Sequence, residues 1–276
     1  MSFIMKKSFT LSFLLLTFVA QAQVIPVGFI KTKAFVVPAI VSTNLIINLD
    51  AANKNSYPGS GNSWNNLISN NAVSYFTLSA AGASYASNNE GVIRFGSTSG
   101  NAISNSGFSN LTAYTVEVWV KIAGTRGDLL PSSGNYFPCL FSEVVSSGTV
   151  NVALMYNLAS FGASANSSQY GAALGGWQYI VSPTSYANDV DQWVQIAQTY
   201  NGKDVKLYRN GELLGSKATS PQLTLRASAS RYNIAKRWDQ SDAVYGDYSM
   251  VNMYSTALNL TDIQTNYNAF RLRFGL

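Results

Sequence analysis

The groups in this sequence best suited to move protons are its thirteen carboxylates: Asp50, Glu90, Glu117, Asp128, Glu143, Asp189, Asp191, Asp204, Glu212, Asp239, Asp242, Asp247 and Asp262. Histidine is absent, which removes Ser-His-Asp and Cys-His catalysis and His-ligated zinc together. The single cysteine, Cys139, excludes an intrachain disulfide and a thiolate metal cage. Between Pro138 and Leu140-Phe141 it reads as a small buried apolar residue. Retaining glycoside hydrolysis needs two carboxyls about 5 Å apart, which on a strand means acids at alternate positions. Asp189 and Asp191 alone have that spacing, and Pro183, Ser185 and Asn188 place them in a turn, as solvated carboxylates. Glu117 shares a strand face with Thr115, Trp119 and Lys121 but with no second acid, and pairing with Lys121 or a hydroxyl accounts for it. No catalytic residue is expected; a divergent glycosidase acting through Glu117 is the remote alternative.

Recognition chemistry is better represented. Sugars are held by aromatic faces beside amides and carboxylates, with few charges. Two stretches outside the evident strands carry that mixture. One is Trp177-Gln178-Tyr179 with Tyr186-Ala187-Asn188-Asp189, from which Trp177, Tyr179 and Asn188 are the candidates. The other is Arg237-Trp238-Asp239-Gln240-Ser241-Asp242 with Tyr245, from which Arg237, Trp238, Asp239, Asp242 and Tyr245 are the candidates. A loop is the usual place for a site on a β scaffold; the plainer role for Trp238 is to cover the scaffold's end. Asp239, Asp242 and Asp247 are the residues that could offer oxygens to a metal. Trp119 and Trp193 are expected in the core, and Trp64 with Tyr57 is expected to staple the opening loop.

These residues need a scaffold. Charged residues make up 11% of the 276-residue chain and aromatics 13%, a composition that suits a packed domain rather than disorder. Alternating runs predict strands over Asn44–Leu49, Val73–Leu78, Val92–Phe95, Tyr114–Ile122, Cys139–Val145, Val150–Tyr156, Trp193–Tyr200, Val205–Tyr208, Glu212–Ser216, Tyr232–Ala235 and Tyr248–Tyr254. Two more are expected between Gln169 and Ser182. Asn201-Gly202 and Asn210-Gly211 mark hairpin turns, because Asn and Gly tolerate the positive φ such turns need. One helical period is present: Asn259 caps it, Asp262 sits in its first turn, and Ile263, Tyr267 and Phe270 share a face. So many strands with one helix cannot make a parallel α/β fold. The expected class is all-β, an antiparallel two-sheet β-sandwich with one short C-terminal helix.

The first 22 residues have the layout of a secretory signal: Lys6-Lys7, an apolar run from Phe9 to Val19, and Ala20-Gln21-Ala22 at the exit. Its removal lowers the formal charge from +5 to +3. No later stretch is long and apolar enough to span a membrane, and no basic run interleaved with aromatics suggests nucleic acid. Residues 23–43, apolar and broken by Pro26 and Pro38, read as an extended arm. The alternation from Phe29 to Val37 would let it add to a sheet edge, its own or a neighbour's.

Four collinear stretches resemble the laminin-G-like, concanavalin A-like jelly-roll domains of secreted bacterial and phage proteins. They are Leu49-Asp50-Ala51-Ala52-Asn53 with Tyr57-Pro58-Gly59-Ser60-Gly61 and Trp64-Asn65-Asn66-Leu67; Tyr114-Thr115-Val116-Glu117-Val118-Trp119-Val120-Lys121; Trp193 to Ala197 through Thr199-Tyr200-Asn201-Gly202 and Val205 to Gly211; and Gly246-Asp247 through Val251-Asn252-Met253-Tyr254 to Asn266-Tyr267. The resemblance implies a domain over residues 44–276. It also implies calcium, but the chain departs from the pattern: Phe95-Gly96-Ser97-Thr98-Ser99-Gly100 lacks the usual acids, Met250 stands for an acid, and Gln195 for a histidine. No cofactor is therefore expected to be required. The expected function is that of a secreted, non-catalytic lectin-like module for carbohydrate or a cell-surface glycoconjugate, acting in adhesion. The alternative is a structural subunit that self-associates through residues 23–43.

Overall fold

A computed structural model describes residues 39–96, 99–123, 137–144, 150–156, 168–174, 178–219 and 231–276. The expected signal, residues 23–38 of the arm, and Trp177 lie outside the described residues. Two antiparallel sheets form the sandwich. Sheet A contains β1 (Leu45–Asp50), β4 (Ala83–Ala86), β5 (Val92–Phe95), β7 (Tyr114–Ile122), β12 (Trp193–Tyr200), β13 (Asp204–Arg209), β14 (Glu212–Ala218) and β16 (Gly246–Tyr254). Its order is β14-β13-β12-β7-β16-β5-β4, with β1 paired to β16 beyond the short β5 contact. Sheet B contains β2 (Ser63–Asn65), β3 (Tyr75–Leu78), β6 (Ala102–Ser104), β8 (Cys139–Val144), β9 (Ala153–Tyr156), β10 (Tyr170–Leu174), β11 (Gln178–Val181) and β15 (Arg231–Ile234). Its order is β11-β10-β9-β8-β15-β6-β3-β2.

Alternation explains the packing. Ile47 and Leu49 of β1, Phe76 and Leu78 of β3, Val116, Val118 and Val120 of β7, and Tyr232 and Ile234 of β15 point into one core between the sheets. Trp64 and Tyr57 are buried in that same core. The turn at Asn210-Gly211 has φ of 50° and 79°, the left-handed pair expected of a tight hairpin, and it joins β13 to β14. Strand edges moved where side chains captured the backbone. The expected strand from Val150 begins only at Ala153, because Glu143 accepts from the Asn151 backbone N–H (2.8 Å) and side-chain amide (3.2 Å).

The helix α1 (Leu260–Phe270) lies on the outside of sheet A. Asn259 and Asp262 form a reciprocal capping box at its start. Ile263 packs with Tyr254, Ala197 and Leu258, while Tyr267 and Phe270 join a cluster of Trp119, Trp193, Met250 and Phe274. Trp119 stacks on Tyr267 (5.7 Å between centroids, 6° between planes) and on Phe274 (4.5 Å). The two tryptophans are thus core residues, but of this second layer rather than of the space between the sheets. Residues at the end of the arm belong to it too: Ile40 and Val41 pack beside Ile263, and the Val41 N–H donates to Asn266 Oδ1 at 2.8 Å.

Candidate functional site

The outer face of sheet B divides into two halves. The pleat places Ser63, Thr77, Ile103, Asn233, Ser142, Ala153, Ala173 and Tyr179 in one cross-strand row. From β8 onward the row is small or apolar and lies under a cluster of Phe137, Cys139, Val150, Met155 and Trp238. From β15 to β2 it is polar except for Ile103. Tyr75 stands there with 39% of its surface exposed, with Asn65 opposite it on β2. Thr77 and Asn105 are exposed, and Ser63, Asn65 and Ile103 are half-buried. Asn105 Oδ1 accepts from the backbone N–H groups of Ser74 (3.0 Å) and Tyr75 (3.3 Å), which fixes its side chain at the start of β3. An aromatic ring among amides and hydroxyls on a flat sheet face can stack against a sugar and bond its hydroxyls. Sequence reading missed it because Tyr75 is one of 16 tyrosines and only the exposed half of an alternating strand.

The loop of the second candidate stretch closes at the end of this face. The Arg237 N–H donates to the Asp242 carbonyl (2.7 Å) and Lys236 bridges Ala243. Trp238 is only 5% exposed, which corrects its expected role as a stacking platform. Its ring packs on Phe137 (5.7 Å), and the Arg237 guanidinium covers it at 4.6 Å. Asp242 is buried as well, paired with Arg237 (3.1 Å) and accepting from the Phe137 N–H (3.1 Å). These three residues are scaffold. The tip is open: Asp239 and Ser241 are exposed, and Asp239 Oδ1 accepts from the Ser241 hydroxyl at 2.6 Å. Gln240, held at φ 70°, accepts from the Asn101 amide at 3.2 Å, and the same amide reaches Asn233 at 3.2 Å. The tip is therefore bonded to the polar half of the face.

The remaining candidates do not join it. Tyr179 sits on β11 at the far edge, under the Lys217 ammonium (4.7 Å). Asn188 is exposed on the turn Ala187–Asp189, and Tyr245 packs against the inter-sheet core. Asp189 is not the solvated carboxylate expected: it is buried, and it accepts from Arg209 Nε at 2.8 Å and the Tyr170 hydroxyl at 2.7 Å. Glu117 is paired neither with Lys121 nor with a hydroxyl. It lies 1% exposed beneath α1, its Oε2 accepting from the Asn266 amide at 2.7 Å, and burial raises its pKa to about 8.

Calcium takes six or more hard oxygen ligands. Asp242 is held by Arg237, and Asp247 accepts two bonds from Arg94 (2.6 and 2.9 Å). Among the described residues no group of three or more carboxylate, thiol or imidazole side chains converges on a point where a metal ion could bind. The aspartates proposed from sequence do not fit a calcium ion.

Two eight-stranded antiparallel sheets packed face to face define a jelly-roll β-sandwich. A family model described as "Concanavalin A-like lectin/glucanases superfamily" matches residues 95–264, and the chain belongs to that family. No curated protein sequence matches it. Among solved structures it is similar to domain 4 of AbnA, a GH43 extracellular arabinanase from Geobacillus stearothermophilus, in complex with arabinotriose: 14% identity, TM-score 0.57, over 80% of this chain and 97% of that one. It is also similar to the botulinum neurotoxin serotype D ligand binding domain in complex with N-acetylneuraminic acid: 16% identity, TM-score 0.55, over 81% of this chain and 50% of that one. A third is Trypanosoma rangeli sialidase in complex with sialic acid: 16% identity, TM-score 0.60, over 85% of this chain and 34% of that one. The match thus spans about half of the neurotoxin domain and a third of the sialidase.

Proposed function

We propose that this chain is a secreted, non-catalytic glycan-binding module, and that its ligand lies on the polar half of the outer face of sheet B. The observation that carries the reading is the exposed Tyr75 ring set among Asn65, Thr77 and Asn105, with the Asp239–Ser241 tip at the end of the same face. Stacking and hydroxyl recognition are both provided for, on a rigid sheet. Structures of the same fold hold arabinotriose and N-acetylneuraminic acid, which fits a carbohydrate ligand. The non-catalytic part of the reading is supported by Glu117, whose carboxyl faces α1 rather than that surface. Secretion rests on the layout of Lys6-Lys7, Phe9–Val19 and Ala20-Gln21-Ala22.

A glycan array tests this directly. The parent chain is expected to retain a defined set of glycans, and Tyr75→Ala is expected to weaken each about tenfold or more with an unchanged melting temperature. Asp239→Asn should narrow the set. An array on which the parent binds nothing, or on which Tyr75→Ala binds like the parent, refutes the assignment.

A further inference from the structure

In the turn Arg271–Phe274 that follows α1, a cage of oxygen atoms closes around the side chain of Arg273. Its Nε donates to the Asn89 carbonyl (3.1 Å), Nη1 to Asp50 Oδ1 (3.0 Å), and Nη2 to Ser249 Oγ (2.7 Å) and the Gly91 carbonyl (3.4 Å). The Arg273 side chain is 9% exposed. The oxygens come from three separate stretches: the end of β1, the turn around Asn89–Gly91, and β16.

The turn is shaped for this purpose. Asn89 and Glu90 are consecutive non-glycine residues with left-handed backbones, φ 48° and 67°. Gly91 follows at φ 147°, where a Cβ would stand 2.5 Å from the Ala51 carbonyl, so no side chain fits. Trp193 Nε1 holds the Asn89 side chain at 3.1 Å. Two carbonyls, a carboxylate and a hydroxyl thereby aim at one buried point, an arrangement that demands a cation. Met250, where the family resemblance leads one to expect an acid, is paired with Asp50 across the strands and packs on Phe274 instead.

We propose that this cage is a cation-binding site of the fold, that Arg273 supplies its resident cation from within the chain, and that the cage takes an external guanidinium in preference to calcium once that side chain is removed. The spacing favours N–H donors. Calcium–oxygen distances are about 2.3–2.6 Å, so a calcium ion would draw every ligand inward; Asp50 accepts from the guanidinium, and the exposed Glu90 carboxylate stands back at 3.7 Å from Nε. A guanidinium matches several acceptors in one plane and sheds water readily.

The test is thermal unfolding of the full chain carrying Arg273→Ala or Arg273→Gln, with guanidinium or calcium added at millimolar concentration and matched ionic strength. Both variants should melt several degrees below the parent. Guanidinium should restore them along a saturable curve while leaving the parent unchanged, calcium should restore them less, and adding Asp50→Asn should abolish the rescue. Variants that melt like the parent, guanidinium effects equal in parent and variants, or better rescue by calcium each overturn the proposal. If neither variant folds, refolding is the readout: recovery with guanidinium alone supports the cage, and recovery with neither cation or with calcium alone refutes it.

Discussion

Glu117 carries an ionisable carboxyl into a layer where its partners are the amides of Asn252 and Asn266, the latter also bonded to the Tyr254 hydroxyl at 2.9 Å. Burial favours the neutral acid, so the folded pKa rises to about 8 from an ordinary value near 4.5. Between those two values the native chain binds a proton that the unfolded chain has released. The stability slope, which follows protons bound in the unfolded minus the folded state, is therefore negative there. Stability contributed by this group is complete below about pH 4.5 and is lost as pH rises through about 8. Glu117→Gln keeps an acceptor for Asn266 and removes the titration. Urea unfolding of parent and variant should agree near pH 4 and diverge toward pH 8, the variant being more stable by an amount on the order of a few kcal/mol. Parallel curves across that range would mean the carboxyl is not titrating in the fold. At this scale the sequence was only partly legible. Glu117 could be placed on the right strand face, and Cys139 in the interior, from their neighbours alone. Nothing local could reveal that Asn266, 149 positions away, would be its partner, or that Phe137 and Arg237 would enclose Trp238.

Among the elements, α1 does the most for a small span of chain. It covers Glu117, Trp119 and Trp193, and its start is fixed by the reciprocal bonds of Asn259 and Asp262 (3.0 and 3.3 Å). Asn259→Ala removes the acceptor for an otherwise unpaired helix N–H and should destabilise by about 1 kcal/mol. Hydrogen exchange of the α1 amides should accelerate by at least as much as that of the sheet amides, and equal protection in parent and variant would argue against the cap. The cap was readable because a capping residue and its partner lie within one turn. Long strands were readable for a related reason: β7 and β12 run as the alternating residues predict. The short strands β2, β4 and β6 were not. Three or four residues offer too few alternations, and Ala83–Ala86 and Ala102–Ser104 consist largely of alanine and serine, which have little β preference. Their pairing depends on neighbours distant in sequence, and β2, β3 and β6 are the strands that present Tyr75.

For the molecule as a whole, the open question is whether the segment before the sandwich joins one chain to another. Its described end, residues 39–43, is part of its own domain: Ile40 and Val41 are packed beside Leu45 and Ile263, and the Tyr254 hydroxyl donates to the Val41 carbonyl at 3.0 Å. The sandwich therefore does not begin at Asn44, as the alternation suggested, but extends at least to Ile40, because the outer layer over sheet A needs those two side chains to close. Three chains separate support of the fold from self-association. A chain starting at Asn44 should melt below one starting at Ala39 by a few degrees, since it loses two half-buried aliphatic side chains and both hydrogen bonds of the Val41 backbone, worth about 1–3 kcal/mol together. A chain starting at Gln23 should elute with the Ala39 chain if residues 23–38 do not link copies, and earlier, in a concentration-dependent way, if they do. Glycan binding should be the same for the Gln23 and Ala39 chains, because Tyr75 and the Asp239–Ser241 tip lie on sheet B while residues 40 and 41 close the outside of sheet A. Loss of glycan binding on removal of residues 23–38 alone would instead tie recognition to assembly, and would favour the structural-subunit reading over an independent lectin-like module.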